Sequence, residues 1–206
     1  MIKNIIFDLG GVIFTIDEKQ AIRRFNEIGL KNAKDRLDPY RQSGYFGKLE
    51  SGEISAEEFR RKLSEDIGHA VTFEDCRYAW TGYVKELPQT NLDKLITLHQ
   101  EGYRILLLSN TNPFMMSWAE SNDFDHHGHP LSFYFDATYK SYQLKTMKPD
   151  KSCFLYLLDH EKITPEETLF VDDGPGNVAV ASTLGLHTYC PANGTDWTKE
   201  IDDYLK

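Results

Sequence analysis

Hydrophobic positions follow two patterns along the chain. Ile5-Ile6-Phe7, Ile105-Leu106-Leu107-Leu108 and Leu169-Phe170-Val171 are short unbroken apolar runs. Runs of that length, closed by glycine or polar residues, predict strands buried on both faces, as in a parallel sheet. Elsewhere apolar residues recur at helical spacing. Asp17-Glu18-Lys19-Gln20 reads as a capping box before Ala21, Ile22, Phe25 and Ile28, with Gly29 closing the helix. Ser55 and Glu58 form a second box, with Ile54 stapled onto Phe59, and further helical segments cover Leu63 to Ile67 and Phe73 to Tyr83. No strand is predicted between Thr15 and Pro88.

From Pro88 onward helices and strands alternate. The pattern predicts a helix over Asn91 to Gln100, a strand over Arg104 to Leu108, and a helix from Pro113. A polar loop (122–130) and a weaker strand over Ala137 to Ser141 follow. Lys148-Pro149 opens a helix through Leu158, with Pro149 at its first position. Thr168 to Val171 is a strand, Asn177 to Leu184 a helix and His187 to Cys190 a last strand, before a short helix in the tail. This rhythm implies an α/β fold, a doubly wound, Rossmann-like parallel sheet with an inserted α-helical cap. The expected domains are a core from residues 1–15 and 88–206 and a helical cap from 16–87.

Composition narrows the function classes. The 206 residues, 40% apolar and 27% charged, are ordinary for a globular chain. A net charge of −9 without a basic stripe argues against a nucleic-acid partner. No apolar run is long enough to span a membrane. Cys76, Cys153 and Cys190 are widely spaced, so neither a zinc site nor a disulfide framework is expected. Reduced thiols and the absence of a leader pattern point to a cytoplasmic location. Oligomeric state is not readable from the sequence.

The chemistry gathers at strand ends. Asp8, Ser109-Asn110 and Asp172-Asp173 each follow a strong strand, and Lys148 starts a helix. In a parallel sheet these clusters share one edge, where ligands bind. Clustered carboxylates call for a divalent cation, and oxygen ligands select Mg2+. With Lys148, the Ser109 hydroxyl and backbone N–H groups, the edge suits a phosphoryl group, with Asp8 as nucleophile.

Taken together, Asp8-Leu9-Gly10-Gly11-Val12, Leu108-Ser109-Asn110, Lys148-Pro149 and Val171-Asp172-Asp173 with Asn177 resemble the four motifs of haloacid dehalogenase-superfamily hydrolases with a helical cap. Ser109-Asn110-Thr111-Asn112 and Ser51-Gly52-Glu53-Ile54-Ser55 resemble, more narrowly, bacterial α-glucose-1-phosphate phosphatases of that superfamily. The resemblance implies catalysis by Asp8, Ser109 and Lys148, and substrate contacts from Ser109, Asn110 and Lys148. It implies Mg2+ on Asp8, on the Gly10 carbonyl and on Asp173, with Asp172 and Asn177 behind them. The implied reaction is Mg2+-dependent hydrolysis of a small phosphorylated metabolite, a sugar phosphate, through an aspartyl-phosphate.

One position departs from the pattern. Phosphatases of the family carry an acid two residues after the nucleophile, where this chain has Gly10. Either another group or water supplies the proton, or the leaving group needs little help, or the chain binds phosphate without turnover; a 2-haloacid dehalogenase is a further alternative. Tyr40, Arg41, Tyr45 and Lys48 offer contacts to a leaving group or simple packing. Asp17 reads as a helix cap, His126, His127 and His129 as a surface loop, and Phe114, Met115, Met116 and Trp118 as a packed helix face.

Overall fold

The computed structural model describes residues 1–38 and 42–205. Its centre is a five-stranded sheet in the order β5-β4-β1-β6-β7, parallel throughout. The strands are β1 (Asn4–Phe7), β4 (Arg104–Ser109), β5 (Ala137–Lys140), β6 (Thr168–Val171) and β7 (His187–Tyr189). Alternate side chains serve opposite faces, as the pleat demands. Ile5, Phe7, Ile105, Leu107, Leu169 and Val171 join one buried cluster, while Ile6, Leu106, Leu108 and Phe170 join another. Helices α9 (Lys151–Glu161) and α10 (Pro175–Thr183) cover the second face.

Among the described residues, five α-helices lie between β2 (Thr15–Ile16) and β3 (Val84–Glu86): α1 (Glu18–Glu27), α2 (Ala33–Arg36), α3 (Gly44–Glu50), α4 (Ala56–Ile67) and α5 (Phe73–Trp80). Strands β2 and β3 pair antiparallel as a small ribbon at the base of the insertion. This ribbon corrects the strand-free reading of that region. The inserted helices share the first buried cluster with α6 (Gln89–Gln100) and α7 (Pro113–Ala119). Phe114 of α7 meets Phe59 at 5.6 Å and Phe73 at 5.0 Å between ring centroids.

Three local expectations change. Asp17 caps α1 by accepting from the Gln20 N–H, but the Gln20 side chain donates to the Gly82 and Val84 carbonyls and ties α1 to the ribbon instead of closing a box. Ser55 caps α4, whereas the reciprocal box is Thr72 with Asp75 at the start of α5. Pro149 does not open a helix: α9 starts at Lys151, and Asp150, the residue after Pro149, caps it by accepting from the Ser152 N–H. A one-turn helix, α8 (Ser141–Leu144), follows β5, and the tail ends in a 3-10 turn at Ile201–Asp203. Among the described residues no helix is long and apolar enough to cross a membrane.

Candidate active site

Registers fix where the strand ends lie. Phe7 stands beside Leu107 of β4 and Val171 of β6, so the residues that follow these strands emerge along one edge. The Asp8 N–H still donates to the Val171 carbonyl, and the chain then turns, with the Leu9 N–H donating to Asp8 Oδ1 at 2.7 Å. Asn91 Nδ2 donates to the Val12 and Ile13 carbonyls, and Trp197 Nε1 also donates to Val12. The loop after Asp8 is therefore held from a helix and from the chain's tail.

Asp8, Asp172 and Asp173 bring carboxylate oxygens within 4.8 Å of one another. One buried cation faces them. Lys148 Nζ lies 2.8 Å from Asp8 Oδ1 and 2.6 Å from Asp172 Oδ2. Asp172 is fully engaged, since it also accepts from the Gly174 N–H and from Asn177 Nδ2. It positions Lys148. Asp173 differs: its Oδ2 is buried with no hydrogen-bond partner. Gly11 (φ +79°) passes so close that a Cβ there would sit 2.1 Å from that oxygen.

The electrostatics follow from burial and crowding. Burial pushes Asp8 up to about 6, with Lys148 opposing the shift and Asp172 adding to it. Burial, then repulsion from Asp8 and Asp172, pushes Asp173 up to about 7. Burial works against the Lys148 charge, but Asp172 and Asp8 outweigh it and hold the ammonium above its ordinary value. Three carboxylates around one ammonium leave room for further positive charge. The all-oxygen set and the orphaned Asp173 atom fit a hard divalent cation.

The segment after β4 is braced. Asn110 accepts from the Lys148 N–H and donates to its carbonyl, Ser141 Oγ bonds both backbone groups of Thr111, and Asn112 caps α7. The Asn110 side chain thus engages the Lys148 backbone, while Asn110 also lines the cleft. Ser109 lines the cleft, and its Oγ donates to the Asn110 carbonyl at 3.4 Å.

That cleft, about 650 Å³ out to open solvent, is lined by Asp8, Gly10, Ser109, Asn110, Lys148, Asp173 and Asn177 on the sheet side. A Cβ at Gly10 would lie 3.1 Å from Ile16 Cδ1. The insertion contributes Gln42, Glu50, Trp80 and Tyr83, none of which the sequence singles out. Of the residues weighed in that segment, Tyr45 donates to Asp66 and packs on Phe46 and Phe59, and Lys48 is exposed. Tyr40 and Arg41 lie outside the described residues. Met115 reaches the cleft, while Phe114 and Met116 are buried in the core. His129 docks on the buried Asp125 in the loop read as solvated.

Comparison with known proteins agrees with this geometry. The family model described as haloacid dehalogenase-like hydrolase matches residues 2–185. The chain belongs to this family of hydrolases. It is 45% identical over 201 residues, 98% of its own length and 97% of the relative's, to a D-ribitol-5-phosphate phosphatase of Bacteroides thetaiotaomicron. A solved structure described as a predicted HAD-like family hydrolase from Porphyromonas gingivalis superposes with a TM-score of 0.94 at 43% identity, covering 100% of this chain and 98% of that one. A mutant HAD family enzyme from B. thetaiotaomicron, in complex with magnesium and inorganic phosphate, gives 0.91 at 35% identity, covering 98% and 99%. The doubly wound core with its helical insertion is therefore the fold of these hydrolases.

Proposed function

We propose that this hydrolase is a Mg2+-dependent phosphatase that removes phosphate from a small sugar or sugar-alcohol phosphate through a covalent intermediate on Asp8. The observation that carries the reading is the buried, unpartnered Asp173 oxygen beside Asp8, in a cluster of three carboxylates with one ammonium. Two relatives support it: one acts on D-ribitol 5-phosphate, and another was solved with magnesium and phosphate.

Asp8, Asp173 and the Gly10 carbonyl would hold Mg2+, which supplies positive charge against the phosphate dianion. Asp8 Oδ attacks phosphorus as the bond to the leaving oxygen breaks. Lys148, fixed by Asp172 and by Asn110, neutralises phosphate oxygens and steadies their charge during transfer. Ser109 Oγ donates to one of those oxygens. Water then cleaves the acyl-phosphate and frees Asp8. The inserted helices act as a cap (16–87) that walls the leaving-group side of the cleft and limits water there.

Gly10 supplies no acid. D-ribitol 5-phosphate leaves through a primary alkoxide, a poor leaving group, so a substrate of that kind needs a proton from water or from another side chain. Phosphate release should be measured across sugar, polyol and nucleoside phosphates, with Mg2+ and with chelator. Release that depends on Mg2+ and favours sugar or polyol phosphates supports the reading; release indifferent to chelator, or confined to halide from haloacids, contradicts it.

A further inference from the structure

The cleft has two chemically distinct ends. Asp8, Asp173, Lys148 and Ser109 make one, and the other is built where the inserted helices meet the start of α7. Glu50 is the last residue of α3 and is only 8% exposed. A helix C-terminus disfavours a carboxylate. Among the described residues no basic side chain pairs with Glu50. Burial pushes its carboxyl up to about 8, with the Asn112 amide partly offsetting the shift. Asn112 Oδ1 already accepts from the Phe114 and Met115 N–H groups, so its amide nitrogen is the part left for Glu50. Glu50 is thus a neutral carboxyl at pH 7, able to donate and to accept.

Whereas Glu50 has Asn112, two other residues lining the cleft carry polar atoms without partners. Trp80 Nε1 and Thr111 Oγ1 are buried with no hydrogen bond, in residues only 1% and 3% exposed. Gln42, by contrast, is spent on the Asp38 backbone and the Tyr83 hydroxyl. Buried polar groups left unpaired are costly and rare in native structures, which points to a ligand that pairs them. An apolar group would leave Trp80 Nε1 and Thr111 Oγ1 unpaired and give the Glu50 carboxyl no partner beyond Asn112, and a second anion would face an acid with no nearby cation. A neutral chain of hydroxyl groups answers both conditions.

We propose that Glu50, with Trp80 Nε1 and Thr111 Oγ1, forms a hydroxyl-recognition subsite that selects an uncharged polyol leaving group and rejects apolar or doubly anionic ones. The proposal rests on the phosphatase reading for the position of the phosphoryl group, and its test separates the two.

Calorimetric binding to Mg2+-loaded Asp8→Asn protein needs no turnover. D-ribitol 5-phosphate is expected to bind roughly 10²-fold more tightly than pentyl phosphate, because hydroxyls complete the subsite. Glu50→Ala in that background is expected to collapse the ratio to within about threefold, and Glu50→Gln, which keeps donor and acceptor, to restore most of it. Equal affinity for the two ligands, or a ratio untouched by Glu50→Ala, overturns the proposal. With active protein, Glu50→Ala should raise KM for the polyol phosphate about 10- to 100-fold and change kcat/KM for p-nitrophenyl phosphate by less than about threefold. An equal loss on both, or a loss that tracks leaving-group basicity at constant KM, also overturns it. Failure of wild-type protein to release p-nitrophenol with Mg2+ counts against the phosphatase reading, while the binding ratio still judges the subsite.

Discussion

Asn110 and Lys148 are joined by a two-point clasp. The Lys148 N–H donates to Asn110 Oδ1 at 2.9 Å, and Asn110 Nδ2 donates to the Lys148 carbonyl at 2.8 Å. The clasp spans 38 residues of sequence and ties the residue after β4 to the segment between α8 and α9. It sets the base from which Lys148 reaches Asp8 and Asp172. Asn110→Ala is expected to lower kcat about 10- to 100-fold, since small misplacements of a catalytic group are costly. Steady-state kinetics with a good phosphate substrate checks this; a change confined to KM would assign Asn110 to binding instead.

Asp172 has three donors and no exposed side-chain surface. Asp172→Ala strands Lys148 with Asp8 alone and is expected to cost about 3 kcal/mol, at the lower end for breaking a buried pair because Asp8 remains. Urea unfolding at neutral pH measures the loss.

Gly11 combines a positive φ with the approach to Asp173. Gly11→Ala is expected to displace the Asp173 carboxylate and to abolish stabilisation by Mg2+. Thermal unfolding with and without Mg2+ reads this independently of activity. A full Mg2+ shift in the variant would show that Asp173 tolerates the methyl group or does not bind the ion.

Glu50 makes stability depend on pH with a definite sign. Its folded value of about 8 lies above its ordinary 4.5. Between those values the folded chain keeps a proton that the unfolded chain has lost, so stability falls as pH rises. The groups facing it are Asn112, which favours the charged form, and the Tyr83 phenol, itself pushed up mainly by burial. Without added metal, wild-type protein should lose more stability between pH 5 and pH 8 than Glu50→Gln. Asp8 and Asp173 contribute equally to both and cancel in the comparison.

Asp125 has the opposite sign. Its burial is outweighed by the Tyr134 hydroxyl, the His129 backbone and ring, and the His127 N–H, which together hold it well below the usual carboxylate range. Its stabilisation is complete above the unfolded value of about 3.9 and fades as pH falls below it. Asp125→Ala is expected to cost about 2 kcal/mol or more at pH 6. The gap from wild type should narrow below about pH 4, as followed by urea titrations.

Much of this was legible because parallel strands buried on both faces leave continuous apolar runs. Those runs located β1, β4 and β6, and the polar residues closing them are the ones that meet at the sheet edge. Strand β3 left no such trace, since Val84 is half-buried and Lys85 and Glu86 are exposed. The start of α9 was misplaced because Lys148-Pro149 looks like a helix opening until Asp150 is seen to cap. Asn110 lines the cleft, but that its amide clasps a residue far along the chain is visible only in the fold. Glu50 was invisible for the same reason. Lys48, Ser51 and Glu53 around it are polar, and its burial beside Asn112, the cap of α7, exists only in the folded chain.

Covalent catalysis by Asp8 passes through an acyl-phosphate that can be trapped. Rapid acid quench during turnover of a sugar or polyol phosphate, followed by borohydride reduction and peptide mass spectrometry, detects it. The expected result is reduction of the Asp8 side chain to the alcohol, only when substrate and Mg2+ are both present, and loss of phosphate release in Asp8→Asn. An unmodified Asp8 during steady turnover, with phosphate release undiminished in Asp8→Asn, would contradict it.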